Sequence, residues 1–317
     1  MAKDLTVQFG YIGNHSVHLT NNQSLSALPT QYLSTLPTRD NTTINALAAT
    51  VANPFANLLP GTTKNGSTTA VSSLLAPFPE FSGVTLNSAN SGGSYFHQFA
   101  ARMQKRFSSG LQFSVNFQHS RLMEKNSRLN ASDPTLEKRI SSSDRPNRAV
   151  FSGTYELPFG KGKHFASTAS RLVNTLVGDW ALASVYVRQS GAVLGWSEMI
   201  YYGGDLQWNP RNISRVFDTT QFNTNSSQQL AQHFRTFPSQ FNNLRADRTS
   251  NVNITVTKDF HLFERVKLQY RAEAFNAFNR AQFAAPNMSA TSSAFGVTTA
   301  TTQQQPRAIQ MALRLSF

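Results

Sequence analysis

Between Leu5 and Tyr11 every second residue is apolar: Leu5, Val7, Phe9 and Tyr11 alternate with Thr6, Gln8 and Gly10. The same period of two recurs at Leu111, Phe113, Val115 and Phe117, and at Val252, Ile254 and Val256. It returns at Val266, Leu268, Tyr270, Ala272 and Ala274, and closes the chain at Ile309, Met311, Leu313, Leu315 and Phe317. None of these positions carries a charge, whereas the opposite parity holds Lys267, Arg271, Glu273 and Arg314 and, apart from Ala312 and Gly10, only polar side chains. Successive side chains of a strand point to opposite faces, so each segment predicts a β-strand with one apolar and one polar face.

Three further strands are predicted at 94–107, 148–157 and 180–190, the last with no clear choice of facing parity. Eight strands result, and their connections alternate in length. About eighty residues follow the first strand, then the turn Ser108-Ser109-Gly110, then about twenty-five residues. A link of about twenty residues follows, holding GKGK at 160–163 and RLVNTLVGDW at 171–180, and it predicts a short helix. A span of more than fifty residues, a tight link at HLFER (261–265) and about thirty more residues complete the series. Compact soluble domains rarely carry such long structureless connections, while membrane barrels pair short periplasmic turns with long external loops.

Alternation alone also fits a soluble β-sandwich. Segments near ten residues exceed the usual soluble strand, and ten residues are what a tilted strand needs to cross a bilayer. Tyr11, Tyr95, Phe107, Phe151, Trp180 and Phe317 lie near stripe ends, as an interfacial aromatic girdle requires. An Arg or Lys facing lipid at the midplane would cost about 2–4 kcal/mol, which accounts for the charge-free stripes. Counting back from a last strand that runs toward the periplasm places every short turn there and every long span outside.

Composition changes the picture little. Apolar residues make up 39% and charged residues 14% of 317 positions, low values for one large soluble core. The net charge of +13 suggests an anionic surface or nucleic acid, but the basic residues are scattered and no RNP, zinc or helix-turn-helix pattern accompanies them. Nucleic acid is therefore not an expected partner. With no cysteine there are no disulfides or thiolate metal sites. No run approaches the roughly 20 apolar residues of a membrane helix, and MAKDLTVQFG lacks the zones of a signal peptide.

Candidate chemistry is sparse. His15 and His18 lie three apart in a predicted loop without a third ligand. Gly160-Lys161-Gly162-Lys163 lacks the GxxxxGK[ST] spacing of a phosphate loop, and no serine lies in a G-x-S-x-G elbow. We expect no enzyme activity, cofactor or metal. Lys267, Arg271, Glu273 and Arg314 are the lumen-facing candidates, either lining a channel or pairing across strands. Phe78, Phe81, Trp196, Tyr201, Tyr202 and Trp208 in the long spans could stack on a ligand or pack the loops.

GYIGNHSVHL (10–19), NPF (53–55), LLAPFPEFSGV (74–84), QKRFSSGLQFSVNF (104–117), DRPNRAVFSGTYELPFGKGK (144–163), YRAEAFNAFNRAQF (270–283) and PRAIQMALRLSF (306–317) together resemble the C-terminal portion of an Oar-like TonB-dependent receptor barrel. The chain departs from the family at GNHSVHL and at Pro146-Asn147-Arg148. The resemblance implies an all-β antiparallel transmembrane barrel segment of about eight strands, one domain over 1–317, within a barrel of about 22 strands. It implies outer-membrane lipid and the barrel-assembly machinery as partners, with Phe317 as the assembly signal. A complete receptor adds a signal peptide, a plug domain and contact with TonB, none of which is visible in this sequence, so a fragment of a nutrient transporter is expected. The alternative is a free-standing eight-stranded barrel with a structural or adhesive role.

Overall fold

A computed structural model describes residues 4–263, 266–300 and 305–317. Eight long strands form one antiparallel sheet: β1 (Leu5–Ser24), β2 (Thr85–Ser108), β3 (Leu111–Lys125), β4 (Asn147–Glu156), β5 (Trp180–Gln189), β6 (Thr249–Phe263), β7 (Val266–Phe275) and β8 (Ala308–Ser316). Each pairs with its neighbour in chain order, so β1 and β8 occupy opposite edges and, among the described residues, are not paired with one another. The two-residue strand Arg139–Ile140 adds to β3.

The register decides what alternation left open. Leu111, Tyr155, Leu182, Val256, Ala272 and Met311 form one cross-strand row from β3 to β8. Val7, Met103 and Val115 form a second row across β1 to β3, on the same parity of β3 as Leu111. All the apolar stripes therefore share one face of the sheet, because a slip of a single residue would have moved a whole strand's side chains to the other side. In β5 the even residues Trp180, Leu182 and Tyr186 join that face, while Ala181, Ala183, Val185 and Val187 take the other.

Several predicted boundaries move. β1 and β2 run far past the expected segments, so the first long connection shrinks to residues 25–84. His15 and His18 consequently lie in a strand rather than a loop. His15 stacks on Tyr95 with centroids 4.3 Å apart, and His18 sits beside a bulge with φ 57°. Among the described residues no group of side chains has the makings of a metal site. Phe151 lies mid-strand between Val115 and Tyr186 instead of at a stripe end. Glu264 and Arg265 of the HLFER link lie outside the described residues.

The turns at Ser109-Gly110 and at 157–179 fall at one end of the sheet, together with the facing ends of β6 and β7. The spans 25–84, 126–146, 190–248 and 276–300 fall at the other, where they cross-brace one another. Ser34 accepts from Phe234 through its carbonyl (2.8 Å), Ser132 Oγ donates to the Leu28 carbonyl (2.8 Å), and Ser239 Oγ donates to Glu137 (2.7 Å). The first span holds α1 (Asn41–Ala48), whose N-cap carboxylate, on Asp40, accepts from the Thr43 amide, and α2 (Val71–Leu75). The 157–179 link contains the predicted helix, α3 (Arg171–Val177), with Ser170 as its cap.

The buried apolar core lies outside the long sheet. Trp196, Met199, Val216, Phe217, Phe222, Leu244, Ala290 and Phe295 form it, drawn from the spans 190–248 and 276–300. Within it the short strand Val193–Gly195 pairs with Gln240–Arg245. This close approach requires glycine at 191, where an added Cβ would lie 1.8 Å from the Ala246 carbonyl oxygen.

Candidate functional site

Of the four charged residues predicted on the polar face, Arg271 and Glu273 meet one another, whereas Lys267 pairs with Asp259. Lys267 Nζ lies 2.7 Å from an oxygen of Asp259, which also accepts from Gln269 at 2.9 Å. Arg271 and Gln310 both donate to Glu273, and the Thr255 hydroxyl approaches the same carboxylate at 3.4 Å. Arg314 sits directly opposite Gln269 on the neighbouring strand. Solvent screens these pairs, so they orient the side chains more than they stabilise the sheet. They knit β6, β7 and β8 together on one face. Phe317 follows the last paired residues and is almost fully exposed.

A second site was legible in the sequence only as scattered aromatic residues. A cavity of about 460 Å³ opens in the loop body, walled by Trp196, Trp208, Phe222, Phe237 and Phe241, with Tyr201, Asp205 and Asn243 among its lining. Its walls are held from below by ring contacts: Trp208 stacks on Phe217 (5.3 Å, 10°) and Trp196 on Phe222 (5.8 Å, 25°). Such aromatic pairs contribute about 0.5–1.5 kcal/mol beyond their buried area. The Trp208 indole donates to the Arg245 carbonyl (3.0 Å), and the Tyr201 hydroxyl donates to the Gly204 carbonyl (2.6 Å). The Trp196 Nε1 is enclosed without a partner among the described residues. Apolar walls with a few polar groups are the usual make-up of a small-molecule pocket.

Buried charges fix the cavity to the sheet. Asp144 accepts from the Leu122 amide (2.7 Å) in β3 and from Arg245 Nη2 (2.7 Å) at the end of the cavity strand. Asp247 receives Arg211 and Arg280, each at 3.0 Å, and the Phe283 amide at 3.2 Å. Arg235 reaches behind the wall to the carbonyls of Trp196 (2.6 Å) and Phe237 (2.8 Å). Burial lowers its guanidinium pKa from the ordinary value, opposed by Glu198 and Glu137, and it remains charged at neutral pH. Asp218 has its pKa lowered to about 2, chiefly by hydrogen bonds from Thr220 and Gln221, with Arg215 adding to the effect.

Of the aromatic residues singled out in the sequence, Trp196, Tyr201 and Trp208 line the cavity. Tyr202 is exposed, and Phe78 and Phe81 belong to the first long span, outside the lining. Phe222, Phe237, Phe241, Asp205 and Asn243 were missed, although the run of phenylalanines from Phe217 to Phe241 was a usable signal. Lys258 was missed as well. It continues the Val252-Ile254-Val256 parity onto the apolar face, yet is only 1% exposed.

The sequence profile of the family described as outer membrane beta barrel domain matches residues 1–310. The chain belongs to that family. Among solved structures, the outer membrane transporter YddB from Escherichia coli is similar with a TM-score of 0.41 and 8% identity. The similarity covers 99% of this chain and 30% of that one. No curated protein matches the chain.

In an outer-membrane barrel domain the aligned apolar face is the lipid face, opposite the face that carries Arg271 and Glu273. The long spans then form the outer body and the short turns the periplasmic rim. At about 3.3 Å per residue, the 24 residues of β2 exceed the 9–11 that a tilted strand needs to cross. The β1–β2 hairpin therefore continues beyond the bilayer, where bulges at Val17/Leu19, Leu19/Asn21 and Asn21/Gln23 loosen its register.

Proposed function

We propose that this outer-membrane domain is the C-terminal barrel portion of an Oar-like TonB-dependent receptor that takes up a nutrient such as a siderophore or a carbohydrate. One observation carries the reading: four long outer spans brace one another, and one of them encloses an aromatic cavity with a polar edge of Asp205 and Asn243. Aromatic faces stack on sugar rings and catechols, and the two polar groups would orient hydroxyls. The ordered family-like segments from GYIGNHSVHL to PRAIQMALRLSF support the same assignment. The role is transport and not catalysis. Within a complete receptor the interior charges Lys267, Arg271, Glu273 and Arg314 face a plug domain that TonB engages.

The unpaired edges of β1 and β8 favour a place in a larger barrel over the free-standing alternative, since backbone groups left unpaired in hydrocarbon are costly. Tryptophan fluorescence of the refolded chain, titrated with maltohexaose and with a catecholate siderophore, tests the proposal. One of the two ligands is expected to shift the emission saturably, and Asp205→Ala with Asn243→Ala to weaken it at least about tenfold, the loss of two polar contacts. No response to either ligand, or an unchanged affinity in the double variant, would overturn the assignment of the cavity as the uptake site.

A further inference from the structure

Lys258 is a lipid-facing lysine by register and buried by its surroundings. Its neighbours across the sheet are Trp180 and Tyr270, and its ammonium lies over the rings of Trp180 (5.7 Å) and Phe260 (5.0 Å). It donates to the carbonyl of Gly178, just past the end of α3. The Trp180 indole donates to the Leu176 carbonyl at 2.9 Å. Two ties therefore hold the last turn of α3 against the outer wall of the sheet, at its periplasmic rim. The GKGK turn is fastened to the same helix: Asn174 Oδ1 accepts from the Lys161 amide (2.6 Å), and Gly160 packs so closely on Gly178 that a Cβ would lie 2.8 Å from its Cα.

Held in this way, the link exposes an apolar surface. Leu172 and Leu176 are 81% and 72% exposed, Val173 and Val177 are exposed beside them, and Phe159 stacks on Phe165 (5.4 Å) with both residues about half exposed. The patch continues the lipid-facing stripe of β5 and β6 through Trp180 and Lys258. Around it the charges are mainly positive. Lys161 and Arg171 are exposed, Lys163 pairs with Glu156 (3.1 Å), and Asp179 faces His261 at 4.0 Å. Between Leu157 and Trp180 the charged residues are Lys161, Lys163, Arg171 and Asp179, three basic and one acidic.

We propose that α3 and the GKGK turn form an interfacial anchor. Leu172, Val173 and Leu176 enter the acyl boundary of the inner leaflet, and Lys161 and Arg171 meet the phosphates of anionic phospholipids. Continuity with the lipid face selects a membrane over a protein partner, and the basic flank selects anionic headgroups. Lys258 and Trp180 act as the clamp that fixes the depth of the helix.

The chain contains no cysteine, so a single label can be placed without other changes. Leu172→Cys and, separately, Leu176→Cys carry an environment-sensitive fluorophore on the full chain, with Tyr202→Cys in the outer body as the aqueous control. Each protein is reconstituted in vesicles of phosphatidylcholine, alone or mixed equally with phosphatidylglycerol, and the inserted fraction is counted by heat-dependent gel migration. Both helix labels are expected to emit at shorter wavelength than the control. A lipid nitroxide near the headgroup should quench them several-fold more strongly, with a further gain in phosphatidylglycerol that Lys161→Gln with Arg171→Gln abolishes. Water-like emission at both helix positions in inserted protein would overturn the anchor. Equal quenching in the two lipid compositions would overturn its preference for anionic headgroups.

Discussion

The membrane sheet and the outer loop body bury apolar side chains in opposite senses. On β8, Met311 and Leu313 are 69% and 70% exposed in the isolated chain, whereas Val216 and Phe217 in the loops are 0% and 1% exposed. The sheet turns its apolar stripe outward because lipid will cover it, and its opposite face is stitched by pairs such as Lys267 with Asp259. The outer body faces water and so must build a core of its own, centred on Trp196, Phe217 and Phe222. Backbone pairing between adjacent strands holds the first region, while long-range side-chain packing and buried ion pairs hold the second. The two regions should therefore fail independently.

The largest effect is expected from Phe217→Ala, which opens a cavity among Trp208, Phe222 and Phe295 and costs about 3–5 kcal/mol. Protease cleavage within 190–248 should rise while the sheet keeps its heat-dependent gel mobility, and a joint loss of both would show that the regions are coupled. Next comes a paired test on β8. Leu313→Arg places a charge on the lipid face and should lower sheet stability in denaturant titrations by about 2–4 kcal/mol. Ala312→Arg, on the polar face opposite Arg271, should change it by under about 1 kcal/mol. Equal effects of the two would contradict the facing assigned by the register.

A smaller loss, about 1–3 kcal/mol, is expected for Asp247→Ala, which strands the guanidinium groups of Arg211 and Arg280. Hydrogen exchange should quicken at the 276–300 segment and not in β7. The smallest effect concerns Asp218. Its pKa is about 2 in the folded chain, below the value near 3.9 of an unfolded aspartate, so its contribution is fully present above about pH 4 and is lost as pH falls through 2. Asp218→Asn should flatten the acid limb of loop-body unfolding while leaving that of the sheet unchanged. An identical acid limb in the variant would remove Asp218 from the account.

The sheet was largely legible because the pleat is a local property: alternation names the two faces of a strand from its own residues, as it did in β3, β7 and β8. β5 was undecided because Ala181, Ala183, Val185 and Val187 are apolar on the opposite side as well. The full lengths of β1 and β2 were hidden because their outer halves, in water on both sides, lose the alternation. The cavity was partly legible through Trp196, Tyr201 and Trp208. The contribution of Phe237, Phe241 and Asn243 was not, since a strand pairing across more than forty residues brings them there.

By itself, then, the sequence determined which side of each clean strand is apolar, which connections are long, and that the central positions of those stripes carry no charge. These follow from a period of two and from the cost of a charge in hydrocarbon, both of which act residue by residue. Only the tertiary structure decided that the stripes align into one face, that the loop aromatics converge on one core, and that Lys258 is covered on the lipid side by the end of α3. Those outcomes depend on register and on contacts between distant segments, which local alternation does not encode.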